Sequence, residues 1–265
     1  MTTRTHLSKL PFTSGRRRIV LALFALTVPL ASTRALASPA GWFGSETVKG
    51  NGVIKKQNRD LAHFTGVSLE LGGQLELRIG NTEDISIESD DNLLALIETV
   101  VEHGTLRIRA ARKDLNLEPR TLKFVVQARQ IERLAVDGSG SIDAPALRAT
   151  KLQLAIGGSG SINVKNAECE SVQASIGGSG NLNLAGTARQ LSVSIGGSGD
   201  VRAAQMKAQD VRVSIGGSGR ATVWARDALR ASIAGSGDVN YYGDPEVSSA
   251  AAGSGVTKRL GPAPL

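Results

Sequence analysis

The chain has 265 residues, with 31 lysines and arginines against 24 aspartates and glutamates, 31 glycines and only 3% aromatic residues. Its single cysteine, Cys169, excludes an intramolecular disulfide and reads as a small buried hydrophobe rather than a reactive thiol. The formal charge of +7 would favour nucleic acid only if it lay on the folded part of the chain, and it does not.

Arg16-Arg17-Arg18 precede the apolar run Ile19–Ala31, and Ala35 and Ala37 form an A-x-A site. That order is the signature of a secretory signal peptide over residues 1–37. The run is interrupted by Pro29 and falls short of the ~20 residues a membrane span needs. Removing it takes away six basic residues (Arg4, Lys9, Arg16, Arg17, Arg18 and Arg34) and no acidic one. That leaves 25 against 24, a net charge of +1. The mature chain is therefore expected to be exported, periplasmic or at the cell surface, with no transmembrane segment and no nucleic-acid partner. Residues 38–60 are polar and Gly-rich and read as a flexible leader, with Trp42 and Phe43 as anchors.

From Phe64 the residues alternate between apolar and polar. The alternation predicts strands at Val67–Leu71, Leu75–Ile79, Ile85–Glu88, Ile97–Val101 and Thr105–Arg109, and another in 121–128. Asn92–Leu96 predicts one helical turn, and His103-Gly104 a hairpin turn. "LGGQL" at 71–75 looks like a worn copy of the corner that dominates the next segment.

That segment is a repeat. Gly-Ser-Gly begins at Gly138, Gly158, Gly178, Gly197, Gly217, Gly235 and Gly253, at intervals of 18 to 20 residues. Two positions before each stand Val136, Ile156, Ile176, Ile195, Ile215, Ile233 and Ala251, within a period-2 alternation. A 20-residue unit of short strands cannot bury its own apolar face, but stacked units can, which predicts an all-β solenoid with rungs ~4.8 Å apart. By parity both glycines of a tripeptide point inward and the serine outward. The corner residues are then Gly138, Gly140, Gly158, Gly160, Gly178, Gly180, Gly197, Gly199, Gly217, Gly219, Gly235 and Gly237. A phosphate loop would need Lys-Ser/Thr and a helix after the last glycine, and a calcium roll a nine-residue period with its acid one place later. A nucleophilic serine would need a base, yet His63 and His103 lie outside the repeats. The glycines build a corner; no cofactor and no metal is expected. The expected parts are a β-rich segment 61–130, a solenoid 131–258 and a tail 259–265.

Three stretches of this chain, "FTGVSLEL", "ISIESDDNLLALIETVVEHGTLRI" and the "GSGSI"-type repeats, together resemble the bacterial secreted proteins grouped as auto-transporter adhesin head GIN domains. The resemblance spans roughly residues 61–258, and its most specific part is Ile85–Ile108. It implies a solenoid-like fold and an extracytoplasmic location, and it supplies no catalytic residues.

Two functions then compete. The first is a non-enzymatic binding or structural module of the cell envelope, adhesin-like, with a polymer, glycan or protein as partner. The alternative is a β-helix enzyme acting on polysaccharide through surface carboxylates, Asp200 and Asp238 being the best pair. Arg220 between them makes an ion-pair ladder the simpler reading and would lower both carboxyl pKa values, the wrong direction for a general acid. For partner binding the candidates are Trp224 and Tyr242, five residues after the last glycine of adjacent rungs and outward by parity, in a column whose preceding members are Ala185 and Ala204. They would stack on sugar rings, or else pack under the C-terminal tail near Leu260 and shield the solenoid end. Lys258, Arg259, Pro262 and Pro264 read as guards against edge pairing at that end.

Overall fold

The computed structural model describes residues 46–264, and the expected signal peptide, Trp42 and Phe43 lie outside them. Alternating apolar residues build five long strands, β11 (Ser141–Gly158), β12 (Ser161–Ile176), β13 (Asn181–Gly197), β14 (Asp200–Gly217) and β15 (Arg220–Gly235). Each is nearly a full coil, interrupted at Gly-Ser-Gly and paired in parallel with the next. The buried positions within a coil run Leu152, Leu154, Ile156, then Gly160, Ile162, Val164, then Ala167. Their parity breaks after Val164 and again before Val172 begins the next coil, so each coil has three sides. Side 1 leads into Gly-Ser-Gly, side 2 follows it, and a short side 3 closes the coil.

The stack continues in both directions with shorter strands. On side 1 it runs through β7 (Thr105–Ala110), β3 (Gly66–Leu69) and β10 (Arg133–Gly138) to β11, and beyond β15 to β17 (Glu246–Ala252). On side 2 it runs from β9 (Leu122–Ala128) and β4 (Gln74–Ile79) to β11, and beyond β15 to β16 (Asp238–Tyr242) and β18 (Val256–Gly261). The protein is a β-solenoid whose core is one continuous, mainly aliphatic file of side chains, from Leu106 and Phe124 to Leu229 and Val239. "LGGQL" is indeed a corner, because Ser141 N–H donates to Gly73 O at 2.9 Å as Ser161 N–H donates to Gly140 O at 3.0 Å.

The corner itself departs from simple parity. From Gly138 to Gly237 the serines are exposed and the second glycines, such as Gly199, are buried, but the first glycines are half-buried or, at Gly138, exposed. Gly197 has φ 148°, and a Cβ there would meet the Gly178 carbonyl oxygen at 2.5 Å. Its need for glycine comes from backbone conformation and rung spacing, not from facing the core. Gly199 is the inward one: a Cβ would meet Ile176 Cγ2 at 2.6 Å, in space the preceding rung's isoleucine already fills.

The N-terminal end is closed by antiparallel strands. β6 (Ile97–Glu102) pairs with β7, β5 (Asp84–Asp90) with β9, and β2 (Ile54–Asp60) with β5. Residues 46–60, expected as part of the leader, thus contain β1 and β2. β1 (Glu46–Lys49) pairs with β8 (Leu115–Glu118), and the link between β1 and β2 is held by the residues around a short helix, α1 (Asp91–Leu94). Asp90, fully buried, accepts from Gly52 N–H at 2.6 Å and Arg120 N–H at 2.8 Å. Asn92 donates to Lys49 O at 2.9 Å, and Lys55 pairs with Asp91 at 3.0 Å. The polar composition of this stretch reflects its partners, which lie some 40 residues downstream. At the other end, residues 259–261, expected as tail, complete β18.

Candidate functional site

From β4 to β18, side 2 has an outward column of polar residues in register; on β9 the same position is Val125. Glu76, Asp143, Asn163, Asn183, Arg202, Thr222, Asn240 and Lys258 stand on successive rungs. With rungs ~4.8 Å apart, this is a ladder of amide, hydroxyl and charged groups over roughly 30 Å. Its members are tied together at the N-terminal end, where Asn163 donates to Asp143 at 3.2 Å and Gln74 to Asp143 at 3.3 Å. Glu76 lies beside Arg78, whose guanidinium donates at 2.7 Å and lowers the Glu76 carboxyl pKa.

Beside this column, where side 2 turns into side 3, the surface is hollowed. One depression of about 390 Å³ lies between Glu76, Lys123, Asp143, Pro145 and Lys165. A second, about 460 Å³, lies between Lys165, Asn183, Ala185, Arg202, Ala204 and Gln205. Both are lined by Lys165, and together they mark a groove-like strip beside the column. The hollow has a sequence cause: the corner positions Ala144, Ala185 and Ala204 are small, and the turn carries register shifts after Val164, Asn183 and Ala203.

Trp224 and Tyr242 stand on β15 and β16, the two rungs beyond the second depression. They are paired directly across β15 and β16, as the spacing predicted, and both are half-buried. Their column differs from the predicted one. Trp224 faces Lys207, and Lys207 faces Thr187, instead of Ala204 and Ala185. The coil of β14 is two residues longer than that of β15, so residues 204–206 bulge at the corner without partners in β15. Counting from the glycines cannot detect that slack. Lys207 Nζ lies 5.4 Å from the Trp224 ring centroid, a cation–π contact. Beside Tyr242 the tail places Gly261 rather than Leu260, and a Cβ on that glycine would stand 3.7 Å from the ring. Leu260 itself is 44% exposed. The tail therefore flanks the aromatic pair with its smallest residue.

The carboxylate column does not assemble an acid–base pair. Asp200, Arg220 and Asp238 are in register on consecutive rungs. Asp200 pairs with Arg202 at 2.8 Å, and Arg220 lies 4.0 Å from Asp238. Each carboxylate is thus neutralised by an arginine. His63 pairs with Glu83 at 2.7 Å, and His103 sits in the β6–β7 turn at φ 51°, far along the chain from the repeat serines. Among the described residues, no group of three or more His, Cys, Asp or Glu is placed to hold a metal ion. Among them too, no helix is long and apolar enough to cross a membrane. Cys169 is half-buried against the core, and burial raises its thiol pKa against a weaker opposing backbone hydrogen bond from Ala149.

Stacked 20-residue coils, glycine corners and an antiparallel N-terminal closure define the class of repeat protein. Residues 63–245 match the family described as "Putative auto-transporter adhesin, head GIN domain", and the chain belongs to that family. Similar solved structures share the fold. A "putative adhesin" from Bacteroides fragilis is 21% identical, with 80% of this chain and 100% of that one covered and a TM-score of 0.75. A "putative lipid binding protein" from Parabacteroides distasonis is 24% identical, with 81% and 100% covered and a TM-score of 0.70. A "putative adhesin" from Parabacteroides merdae is 21% identical, with 81% and 99% covered and a TM-score of 0.65. No curated protein sequence matches the chain.

Proposed function

We propose that this protein is an exported, non-enzymatic binding module of the bacterial cell envelope that holds an extended glycan along the groove beside side 2. The observation that carries the reading is an alignment of features: two depressions each lined by Lys165, a polar column beside them, and the Trp224–Tyr242 pair on the next two rungs. Hydroxyl-rich chains are bound by such combinations of amides, charges and aromatic faces. An acyl chain would need an apolar cleft, whereas Lys, Asn, Asp, Glu and Arg line much of this groove. The adhesin-like family supports export and binding, and the neutralised carboxylates support a role without catalysis.

The test is titration of the purified protein with soluble peptidoglycan fragments, O-polysaccharides and capsular polysaccharides. At least one glycan is expected to bind. Trp224→Ala should weaken that binding about tenfold, the equivalent of one lost aromatic contact, with little change in melting temperature. A large fall in melting temperature with binding unchanged would make the aromatic pair an end cap and sink its role in the groove.

A further inference from the structure

The two depressions beside side 2 differ in charge. The first is lined by two carboxylates, Glu76 and Asp143, and by two lysines, Lys123 and Lys165. The second is lined by Lys165 and Arg202 and by no carboxylate; the rest of its polar lining is amide, from Asn163, Asn183 and Gln205. Both cations are exposed. They stand on β12 and β14, about 9.6 Å apart along the stack, with Ala185 on the rung between. The carboxylates of the first depression are engaged elsewhere. Glu76 bonds Arg78 at 2.7 Å, and Asp143 accepts from the amides of Asn163 and Gln74. Among the described residues Arg202 has one carboxylate partner, Asp200 at 2.8 Å, while its guanidinium carries five N–H donors. Beyond residue 37 the chain has 25 basic and 24 acidic residues, so this excess of positive charge is local.

We infer that the second depression is a subsite for an anionic group, a carboxylate or a phosphate, and that the glycan held along side 2 is an acidic one. The inference rests on the glycan-binding reading above. Neutral hydroxyls would be served by the amides, whereas two cations with no facing acid are complementary to negative charge. The planar fork of Arg202 matches the oxygens of a carboxylate or phosphate, and Lys165 adds a mobile point charge from the other side. Asp143 repels an anion from the first depression, so the charged substituent belongs in the second and uncharged hydroxyls in the first.

Calorimetric titration with two acidic glycans, oligogalacturonate and phosphomannan oligosaccharide, each beside its uncharged counterpart (carboxyl-reduced or dephosphorylated), tests this. At least one acidic glycan is expected to bind about tenfold or more tightly than its counterpart, and to weaken as salt is raised. The two probes tell a carboxylate from a phosphate. Lys165→Gln, which breaks no ion pair in the fold, should weaken the acidic glycan about tenfold and leave the uncharged one and the melting temperature unchanged. Lys151→Gln, at an exposed lysine of β11 that lines neither depression, removes the same charge and should change nothing. Charged and uncharged glycans that bind alike would overturn the inference and leave the glycan reading standing. A preference for the acidic glycan that ignores Lys165→Gln, or that Lys151→Gln reduces equally, would also overturn it. Failure of every glycan to bind, charged or not, would sink both.

Discussion

At the scale of single residues, "IGGSG" contains three glycines with three different reasons to be there. Gly196 has no positive φ, and a Cβ there would lie 3.9 Å from Ile176 O, an ordinary contact; Ala234 already occupies the equivalent place in β15. Gly197 needs its positive φ and its closeness to the Gly178 carbonyl, and Gly199 leaves room for the Ile176 methyl. Ser198 contributes a backbone N–H to Gly178 O at 2.9 Å, and its side chain faces solvent. Chemical denaturation of four variants separates these roles. Gly196→Ala should be neutral or stabilise by up to about 1 kcal/mol through the unfolded chain. Ser198→Ala should stay within about 0.5 kcal/mol. Gly199→Val should cost about 1–3 kcal/mol or more by overpacking, and Gly197→Ala should also destabilise through strain. Equal effects at 196 and 199 would refute this division of roles.

Between elements, one buried carboxylate ties β5 to the link before β2 and to the link before β9. Burial raises the pKa of the Asp90 carboxyl, but hydrogen bonds from the N–H groups of Arg120, Gly52, Asp90 itself and Thr121 outweigh it and hold the pKa below 3.8. A lowered folded value means that the anchor contributes in full above pH 3.8 and is lost as pH falls below it. Asp90→Asn should therefore lower the melting temperature at neutral pH, with the gap to the unmutated protein closing in acid. A gap that persists unchanged at pH 2 would refute the charge-based account. This tie also marks the limit of what the sequence discloses. Strands at 74–79, 105–110 and 122–128, the hairpin at His103-Gly104 and the glycine corners are legible because each depends on local alternation or a short turn. The antiparallel closure and the docking of residues 46–60 are not, since Asp90 meets its partners 30 and 38 residues away. In the candidate site Trp224 and Tyr242 were legible as neighbours, but Lys207 was hidden by slack at the corner. The groove is hollowed by alanines at 144, 185 and 204, which have no signature of their own.

Over the whole molecule, each rung touches only its neighbours, so local stability follows position along the stack. The central strands β12, β13 and β14 are flanked on both sides, and their inward residues are almost fully buried. On side 2 the N-terminal end approaches that condition, because β2 covers β5 and Ile85 and Ile87 are fully buried beneath, while on side 1 β6 has only β7 beside it. The C-terminal end does not, since β17 has one neighbour and β18 has one. Strands with a single partner and little buried apolar surface open at low free-energy cost, whereas flanked ones open only with the global transition. Hydrogen exchange, measured in dilute protein below any self-association, should follow that asymmetry. Amides of β17 and β18 should exchange first, and those of β12–β14 last. β5 and β9, although near the end of the stack, should resemble the centre. Early exchange in β5, or equal protection of both termini, would mean that the antiparallel closure does not seal the N-terminal end.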